Sequence, residues 1–336
     1  MENPVISVIV PIYNQEKFIG QCLKSLFQQA SEKVEFIIIN DGSTDRSLEI
    51  CNEMISKCTA NAKLINQENH GLIKTRSIGL SLAKSEYIVS VDSDDVLLEN
   101  TLSRLLNLIE KYNPDIICYN ATMDLETRKP FFSYPFKSEE VFTEDNKYEI
   151  YKLLCGTDTM NNIWTKCVRS SIFRDKEVYE DCEGISNGED LYQSLVLIDR
   201  AKTIVFVDEV MYFWRKTVGS MSRKYNPKYL ISEKKVCTRR LEYAKKWTKE
   251  GNDELVESAK FFIYKILRNI SRSAFISNEK WDYIKNEIIK LRKDEFFNTY
   301  YFKVNKYRNK QDIVLKSPLP VMRLFKAIYN KRKKIK

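Results

Sequence analysis

The stretch EYIVSVDSDDVLLEN, residues 86–100, joins a short apolar run to three closely spaced carboxylates. Residues 87–91 are rich in β-branched and aromatic side chains, and this composition over so short a length predicts a buried strand. Asp92, Asp94 and Asp95 follow at once, and neighbouring like charges disfavour one another's ionisation unless a cation lies between them. Taken alone, the stretch fits either an acidic turn before the next helix or a cation site.

Strand and helix patterns alternate through the first 120 residues. Short apolar runs predict five strands, at residues 5–13, 34–40, 62–67, 87–91 and 114–120. Apolar residues at helical spacing predict helices between the strands, as in EKFIGQCLKSLFQQA (16–30). Such alternation is typical of an α/β fold with a Rossmann-like, mostly parallel sheet and helices on both faces. Ligands bind at the carboxyl ends of the strands in these sheets, and both DSDD and DGSTD (41–45) follow strands.

The pattern loosens after residue 121 and becomes helical and basic after residue 223. Residues 162–173 and 187–215 predict a loop, a helix that begins at Glu189 and Asp190, and a strand. In the last third, an apolar stripe at helical spacing consists of Leu255, Ala259, Phe262, Ile263, Ile266, Ile270 and Ala274.

The charge of the chain changes sign near residue 222. Residues 223–336 contain 31 Lys and Arg against 12 Asp and Glu, whereas residues 1–222 contain 24 against 34. We therefore predict a domain over residues 1–222 and a smaller, basic, α-helical region over residues 223–336. A basic surface attracts nucleic acid and anionic lipid alike, so charge alone does not choose between them. No nucleic-acid-binding motif is recognisable and no nucleic acid is expected, while the basic terminal segment described below makes an anionic membrane surface the expected partner.

Composition disfavours several classes of protein. The eight cysteines form no C-x-x-C pair and no signal peptide precedes the first strand, so we expect reduced, cytosolic cysteines packed in the core. No apolar run approaches the ~20 residues of a membrane span. The single histidine, His70, is too little for serine-hydrolase or histidine-ligated zinc chemistry, so a general base would have to be a carboxylate.

Three segments at one edge of the predicted sheet fit a nucleotide. No G-x-G-x-x-G or Walker lysine motif is present, and the first strand ends instead in PIYN, where Pro11 and Tyr13 offer a rigid backbone and a ring beside a flat heterocycle. Asp41 could accept a hydrogen bond from the N–H of a base. Asp92 and Asp94 supply hard oxygen ligands for Mg²⁺ or Mn²⁺, which bridge diphosphates.

At this point the chain resembles the family 2 glycosyltransferases of the GT-A fold, of the kind that builds bacterial surface and capsular polysaccharides. The resemblance covers residues 5–222, and six segments carry it in the family's order: ISVIVPIYNQEKFIGQCLKSLFQQ, EFIIINDGSTDRS, NHGLIKTRSIGL, YIVSVDSDD, IWTKCVRSSIF and NGEDLYQSLVLIDRAKTIVFVDEVMYFWR. The Q-x-x-R-W motif and the transmembrane helices of processive members are missing, and TRSIG stands where the family usually has ARNxG.

The resemblance implies a role for particular residues. Asp190, in the GED segment, matches the catalytic base of inverting members, with Glu189 as the next candidate. Asp92 and Asp94 would bind Mn²⁺ or Mg²⁺. The donor-binding set would comprise Pro11, Tyr13, Glu16, Asp41, Gly71, Arg76, Asp92 and Ser93. Trp164 and Lys166, in the W-x-K segment, are interpreted first as packing residues and second as lining for the acceptor site.

The expected activity is a non-processive, inverting transfer from a nucleotide sugar, best matched by a UDP-sugar, to a hydroxyl of a lipid-linked glycan. We expect the protein in the cytoplasm, peripheral on the inner face of the membrane, and a homo-oligomer is left open. The segment SPLPVMRLFKAIYNKRKKIK (317–336) predicts a basic amphipathic helix, with Val321, Met322, Phe325, Ile328 and Tyr329 on its apolar face. Its positive charges are Arg323, Lys326, Lys331, Arg332, Lys333, Lys334 and Lys336.

Two alternatives stay open at this point. VDSDDVL also fits the nucleophile motif of haloacid-dehalogenase-like phosphatases, in which Asp92 would attack phosphate and Asp94 would act as the acid. That motif normally follows the first strand of its fold, whereas three strand–helix units precede it here. The other alternative is a non-enzymatic scaffold that binds a membrane or nucleic acid through the basic last third. Separately, the terminal helix could pack on the body of the protein, with a solvated lysine tail, instead of binding a membrane.

Overall fold

The computed structural model describes residues 3–180, 182, 185, 187–216, 229–306 and 310–334. The chain forms two compact units, each described by itself below. The first consists of Met1–Ile150, Asp158–Glu183 and Glu189–Val218, and the second of Tyr151–Thr157, Gly184–Gly188 and Gly219–Lys336. The boundary predicted at residue 222 lies outside the described residues, and two short earlier segments group with the C-terminal residues.

Four parallel strands form one half of the sheet in the first unit. They are β1 (Ile6–Ile12), β2 (Val34–Asp41), β3 (Ala62–Gln67) and β4 (Tyr87–Ser90), in the order β3-β2-β1-β4. β1 lies in the middle, with Ile6 opposite both Val34 and Tyr87. β1, β2 and β4 are buried along their whole length, which explains their near-continuous apolar sequences. The predicted α/β architecture and these four strands are confirmed.

The other half of the sheet is mixed. Its strands are β5 (Val96–Leu97), β6 (Ile116–Thr122), β7 (Glu140–Phe142), β8 (Lys166–Arg169) and β9 (Ile204–Phe213). β8 lies between β4 and β6 and is antiparallel to both, while β6 and β9 are parallel. β5 and β7 pair with β9 in antiparallel fashion.

The prediction of a loop over residues 162–173 was therefore wrong. The segment folds into a 3₁₀ turn (Ile163–Thr165), the strand β8 and a short helix. The strand is only four residues long and has a charged residue at each end, so its pattern is too short to detect. Both charges are satisfied inside the fold, since Lys166 donates to the Met160 carbonyl at 2.7 Å and Arg169 to the Asp115 carboxylate at 3.1 Å.

Helices cover the sheet and place the loops at its carboxyl edge. They are α1 (Ile19–Phe27), α2 (Ser47–Ser56), α3 (Leu72–Leu82), α4 (Thr101–Tyr112), α6 (Ser170–Phe173), α7 (Lys176–Tyr179) and α8 (Glu189–Arg200). A further helix, α5 (Tyr148–Gly156), begins in the first unit, and most of its residues belong to the second. The helix predicted to begin at Glu189 and Asp190 is confirmed in α8. Apolar side chains at helical spacing point α1 and α4 into the core, among them Leu23, Leu26 and Leu105.

Two glycines fix the position of α3. Gly71, just before the helix, has φ +83°, a backbone conformation that residues other than glycine rarely adopt. Gly79 faces the sheet, where an added Cβ would lie 2.5 Å from the Cγ2 of Ile9 and 2.9 Å from the Cδ1 of Ile39. The absence of a side chain at Gly79 therefore lets α3 lie directly on β1 and β2.

The described C-terminal part of the second unit is helical, as predicted. It contains α9 (Tyr229–Trp247), α10 (Glu254–Ile276), α11 (Trp281–Lys293), α12 (Glu295–Phe297), a π-helical turn (Asn298–Phe302), α13 (Lys310–Leu315) and α14 (Leu319–Lys334). Five predicted stripe residues of α10 are buried, while Ile266 and Ile270 are half-buried and Tyr264 and Leu267 are buried instead. No described helix is long and apolar enough to span a membrane.

The helix predicted at the C-terminus is confirmed as α14, but its faces differ from the prediction. Met322, expected on the free apolar face, is buried, and so is Lys326, expected among the free charges. Lys326 donates to the Ser277 carbonyl at 2.7 Å, which gives its ammonium group a partner inside the unit. The exposed apolar residues of α14 are Val321, Leu324, Phe325 and Ile328. The side chains of residues 332–336 lie outside the described part of the chain.

All eight cysteines lie in the described residues and are free. Seven are buried and Cys58 is partly exposed. They are packing residues, as the sequence predicts.

Candidate active site

The DSDD turn at the end of β4 is held by one tyrosine hydroxyl. The Asp92 N–H donates to the Tyr212 hydroxyl at 3.1 Å, and that hydroxyl donates to Asp95 Oδ2 at 2.8 Å. Asp95 N–H closes the turn on the Asp92 carbonyl at 3.0 Å. Strand β9, which ends just past Tyr212, therefore fixes both ends of the turn.

Asp95 is a buried structural carboxylate. Its second oxygen accepts the Arg215 backbone N–H at 2.7 Å, and Arg215 Nε donates to the Asp94 carbonyl at 2.8 Å. Burial, and then the charges of Asp92 and Asp94, raise the pKa of Asp95 to about 8. Of the three clustered carboxylates, Asp95 therefore has a structural role, because both of its oxygens accept hydrogen bonds from the β9 region.

Arg76 links the turn to α8. From α3, its Nη2 donates to Asp92 Oδ1 and its Nη1 to Asp190 Oδ1, each at 2.8 Å. The Arg76 side chain is buried, while both carboxylates are partly open to solvent. Burial acts to lower the pKa of Arg76, but Asp190 and Asp92 outweigh it and raise that pKa above its ordinary value. Burial raises the pKa of Asp92, and Arg76 only partly opposes that rise.

Asp94 and Glu189 are two further acids with raised pKa values. Asp94 forms no ion pair within the described residues, and burial followed by the charge of Asp92 raises its pKa to about 6. The pKa of Glu189 is also raised to about 6, by burial and then by Asp190. Burial and neighbouring carboxylates thus disfavour the charged forms of both acids.

The arrangement of Asp92 and Asp94 is compatible with the predicted cation site, provided that the substrate supplies the remaining ligands. The structure brings Asp92 and Asp94 together in one turn, but among the described residues no group of three or more His, Cys, Asp or Glu side chains is arranged to hold a metal ion. Mg²⁺ and Mn²⁺ are commonly held by one or two carboxylates together with substrate phosphates. The uncompensated Asp94 beside Asp92 suits a cation that a phosphate ligand helps to hold.

Asp190 is oriented by the loop before β8 as well as by Arg76. The Ile163 N–H donates to Asp190 Oδ2 at 3.3 Å, and the Ser194 hydroxyl donates to the Asn161 carbonyl at 2.6 Å. Buried Lys166 holds the same loop through the Met160 carbonyl. Burial lowers the pKa of Lys166 to about 8. Trp164 is also buried, so the W-x-K segment is placed as packing.

Asp41 holds a loop rather than presenting a free carboxylate. Its Oδ1 accepts from Gln67 Nε2 and from the His70 backbone N–H, both at 2.8 Å, and its Oδ2 accepts from the Gly71 N–H at 2.9 Å. Burial acts to raise the pKa of Asp41, but these hydrogen bonds outweigh it and the net pKa lies below its ordinary value. Asp41 thereby fixes Gly71 at the start of α3.

The remaining predicted donor residues fall into two groups. Tyr13 is exposed at the end of β1, whereas Pro11 is buried within that strand and Ser93 is buried in the turn. Glu16 accepts from the Arg46 N–H at 3.1 Å, and the Glu16 N–H donates to Asp45 at 3.0 Å. These reciprocal bonds tie the loops after β1 and β2 together, so the Glu16 carboxylate already has a structural partner.

Tyr212 and Arg215 were not predicted from the sequence. Both lie in the YFWR segment (212–215), which was interpreted only as the end of a strand. The signal that could have found them is a polar aromatic followed by an arginine at the end of a buried strand, because such groups need internal partners.

The chain is similar in sequence to known proteins. The sequence model described as "Glycosyl transferase family 2" matches residues 7–174, half of the chain. Over 225 residues the chain is 31% identical to "Uncharacterized glycosyltransferase EpsJ" of Bacillus subtilis, covering 67% of this chain and 65% of that protein. Over 230 residues it is 29% identical to "Glycosyltransferase GlyA" of Streptococcus pneumoniae, covering 67% of this chain but only 32% of that protein.

A similar solved structure is that of Staphylococcus aureus TarS 1–349 in complex with UDP-GlcNAc. The TM-score is 0.63 at 21% sequence identity, over 98% of this chain and 92% of that one. At this identity the likeness concerns the fold alone, and it confirms the predicted GT-A architecture.

Proposed function

This chain belongs to glycosyl transferase family 2, and from that premise we propose that it moves a sugar from a nucleotide sugar to a hydroxyl of a glycan during cell-surface polysaccharide synthesis. One observation carries the proposal: Arg76 joins Asp92, at the carboxyl end of a parallel strand, to Asp190 at the start of α8. A cation-binding carboxylate and a base candidate therefore border the same space, where the acceptor and the leaving diphosphate would meet.

We propose an inverting, non-processive transfer with Asp190 as the general base. The acceptor oxygen forms a bond to the anomeric carbon as the bond from that carbon to the diphosphate oxygen breaks, and the hydroxyl proton passes to Asp190. The ion pair with Arg76 and the hydrogen bond from the Ile163 N–H support this role, because they hold the carboxylate in one orientation. General-base assistance of this kind contributes about 10²–10⁴-fold to the rate.

Asp92 and Asp94 would hold Mn²⁺ or Mg²⁺ together with the diphosphate of the donor. When bound there, such an ion would stabilise the negative charge that develops on the leaving diphosphate. The raised pKa of Asp94, caused by burial and by the charge of Asp92, supports this placement. A neighbouring cation would offset both the loss of solvation and the repulsion between the two carboxylates.

A UDP-sugar is the proposed donor. The similar solved structure of TarS contains UDP-GlcNAc, and here the exposed ring of Tyr13 lies at the end of β1. The loop that Asp41 fixes at Gly71 would border the nucleotide, so Asp41 would act by shaping the pocket.

The lipid-linked acceptor would be met at the inner face of the cell membrane. α14 supports this part of the proposal, because Val321, Leu324, Phe325 and Ile328 form an exposed apolar face on a helix that also carries exposed Arg323 and Lys331. A basic amphipathic helix of this kind can lie in a membrane interface.

The released product tests the proposal against the phosphatase alternative. The protein would be incubated with a panel of nucleotide sugars and Mn²⁺ or Mg²⁺, and nucleoside diphosphate and inorganic phosphate would be measured separately. We expect nucleoside diphosphate, with a UDP-sugar as the best donor. Release of inorganic phosphate alone would favour the phosphatase, although the family match speaks against it. No release from any nucleotide sugar, with or without acceptor, would refute the transferase.

A further inference from the structure

We propose that a row of aromatic rings in the first unit, Tyr212, Trp164, Trp214 and Phe131, ends in a stacking surface for a sugar ring of the acceptor; this inference rests on the transferase function proposed above. The ring centroids of Tyr212 and Trp164 lie 4.7 Å apart and those of Trp164 and Trp214 lie 6.3 Å apart, at interplanar angles of 28° and 21°. Phe131 completes the row, 5.3 Å from Trp214 and tilted by 59°.

One end of the row touches the residues of the active site. The Tyr212 hydroxyl binds the Asp92 N–H and Asp95, as described above. Trp164 directly follows Ile163, whose N–H donates to Asp190. The row is therefore attached at one end to the turn that contains Asp92 and, through the neighbouring Ile163, to the base candidate Asp190.

The other end of the row is open to solvent. Trp214 is half-buried, and Phe131 has 44% of its surface exposed. Single exposed apolar side chains are common on protein surfaces, but the backbone that carries this ring is held by hydrogen bonds. The Phe131 N–H donates to the Ala121 carbonyl at 2.7 Å, and the Trp214 N–H donates to the Thr122 carbonyl at 2.8 Å. Both rings are thus attached to β6.

Buried residues below Phe131 hold its position further. Phe132 lies edge-on to it, with centroids 4.6 Å apart, and is buried. The Asn120 side chain accepts a hydrogen bond from the Phe132 N–H at 3.2 Å and donates one to the Phe132 carbonyl at 2.9 Å. The open ring is therefore preorganised, so a ligand that stacks on it would lose little binding energy to ordering the protein.

The chemistry of the surface favours a sugar over a lipid chain. A pyranose ring presents C–H groups on its faces and hydroxyls around its edge, so it needs a small apolar platform with a polar rim. Residues 124–130, which lead to Phe131, are exposed and mostly polar, in the sequence DLETRKP. A lipid chain would need a longer continuous apolar surface than one open ring and one half-open ring provide.

Saturation-transfer NMR on the full chain tests the inference without turnover. The probes would be the methyl glycosides of glucose, galactose, mannose and N-acetylglucosamine, with farnesyl phosphate as a lipid probe. The variants would be Phe131→Ala, the ring-conserving Phe131→Trp, and Leu125→Ala as a matched control. Leu125 is in the same loop and has a similar exposure of 39%. We expect at least one glycoside to bind the wild type, with at least about fivefold weaker binding to Phe131→Ala, in line with the loss of one stacked ring, and near wild-type binding to the other two variants.

Several outcomes would overturn the inference. They are wild-type protein that binds none of the glycosides, Phe131→Ala that binds them as the wild type does, equal loss in Leu125→Ala, and a loss confined to farnesyl phosphate. Release of nucleoside diphosphate in the absence of acceptor, measured on the same samples, separates this inference from the proposed function. Leu125→Ala should keep wild-type donor hydrolysis, whereas failure of the wild type to release the diphosphate from any donor, with or without acceptor, would count against the transferase and not against glycoside binding.

Discussion

Arg76 and Asp190 form a 2.8 Å ion pair across 114 positions of the chain. The pair depends on Gly79, three residues after Arg76 on α3, because the missing side chain lets that helix lie on β1 and β2. From there the guanidinium also reaches Asp92, so the start of α8 and the end of β4 are held at a fixed separation by one side chain.

Asp190→Asn should lower turnover by at least about 10²-fold, the low end for the loss of a general base. The amide is nearly isosteric and can still accept from Arg76, so binding of UDP should be little changed. Initial rates and UDP titrations would measure the two effects. Glu189→Gln serves as the neighbouring control, and wild-type rates in Asp190→Asn with a loss in Glu189→Gln would transfer the role to Glu189.

Arg76→Met should destabilise the protein by about 3 kcal/mol, because it leaves two carboxylates without their buried partner. Chemical denaturation of both proteins gives the difference in the free energy of unfolding. Arg46→Met is the matched control, since the Arg46–Glu49 pair is largely exposed and should contribute less than about 1 kcal/mol. Equal effects of the two substitutions would show that the Arg76 bridge adds no stability.

Asp94→Asn should weaken Mn²⁺ binding and abolish most of the activity. Because the pKa of Asp94 is about 6, the carboxylate gains its charge as the pH rises through that value. Wild-type affinity for Mn²⁺ should therefore increase from pH 5 to pH 7 and then level off, as measured by titration in the presence of UDP. Glu99→Gln removes one nearby exposed carboxylate and should leave the affinity unchanged. Full activity of the wild type in excess chelator would rule out the metal.

Lys166 should make the stability of the wild type depend on pH in the alkaline range. Its pKa is about 8 in the folded protein, and the unfolded lysine keeps its ordinary value of 10.5. Between these values the unfolded chain binds more protons, so the free energy of unfolding should rise with pH, by at most about 1.4 kcal/mol per pH unit for one group. Lys166→Met should lack this contribution, and parallel denaturation profiles from pH 8 to pH 10 would contradict it.

Replacing Leu324 and Phe325 by glutamine should reduce binding to anionic vesicles, most clearly at low salt. Leu324 has 63% of its surface exposed, so its loss should not disturb folding. Ile231→Gln in α9, with an exposure of 61%, is the matched control and should bind as the wild type does. Co-sedimentation of each protein with vesicles, together with donor hydrolysis, would show whether α14 acts in membrane binding alone. Equal sedimentation of all three proteins would rule out α14 as the contact.

Sequence patterns predicted the strands and helices whose apolar residues are arranged regularly within their own segment. β1, β2 and β4 are buried along their length and read as continuous apolar runs, and α4 occupies the predicted residues 101–112. β8 escaped prediction because its four residues acquire their conformation from two partner strands distant in sequence. Its antiparallel position between β4 and β6 is determined by contacts between residues that are far apart in the sequence.

The sequence placed the proposed site residues at the carboxyl ends of the parallel strands but could not assign their hydrogen-bond partners. Asp41 and Glu16 were expected to face a nucleotide, yet backbone N–H groups of neighbouring loops occupy their carboxylates. The bridge through Arg76 was also invisible, because nothing local to residue 76 indicates that residue 190 lies beside it. Which of several possible partners a side chain binds depends on the tertiary structure.

The late arrival of β8 in the chain has a consequence for how the protein is synthesised. β4 and β6 emerge from the ribosome with residues 87–122, but the strand that pairs with both is not made until residues 166–169. Until then the nascent sheet has two open edges at what will become its centre, and open edges pair readily with other chains. Chains that stop before residue 166 lack this strand and should aggregate more readily than longer chains, which gain Arg169; this residue binds Tyr87 from β4 and Asp115 beside β6 and so joins the two strands.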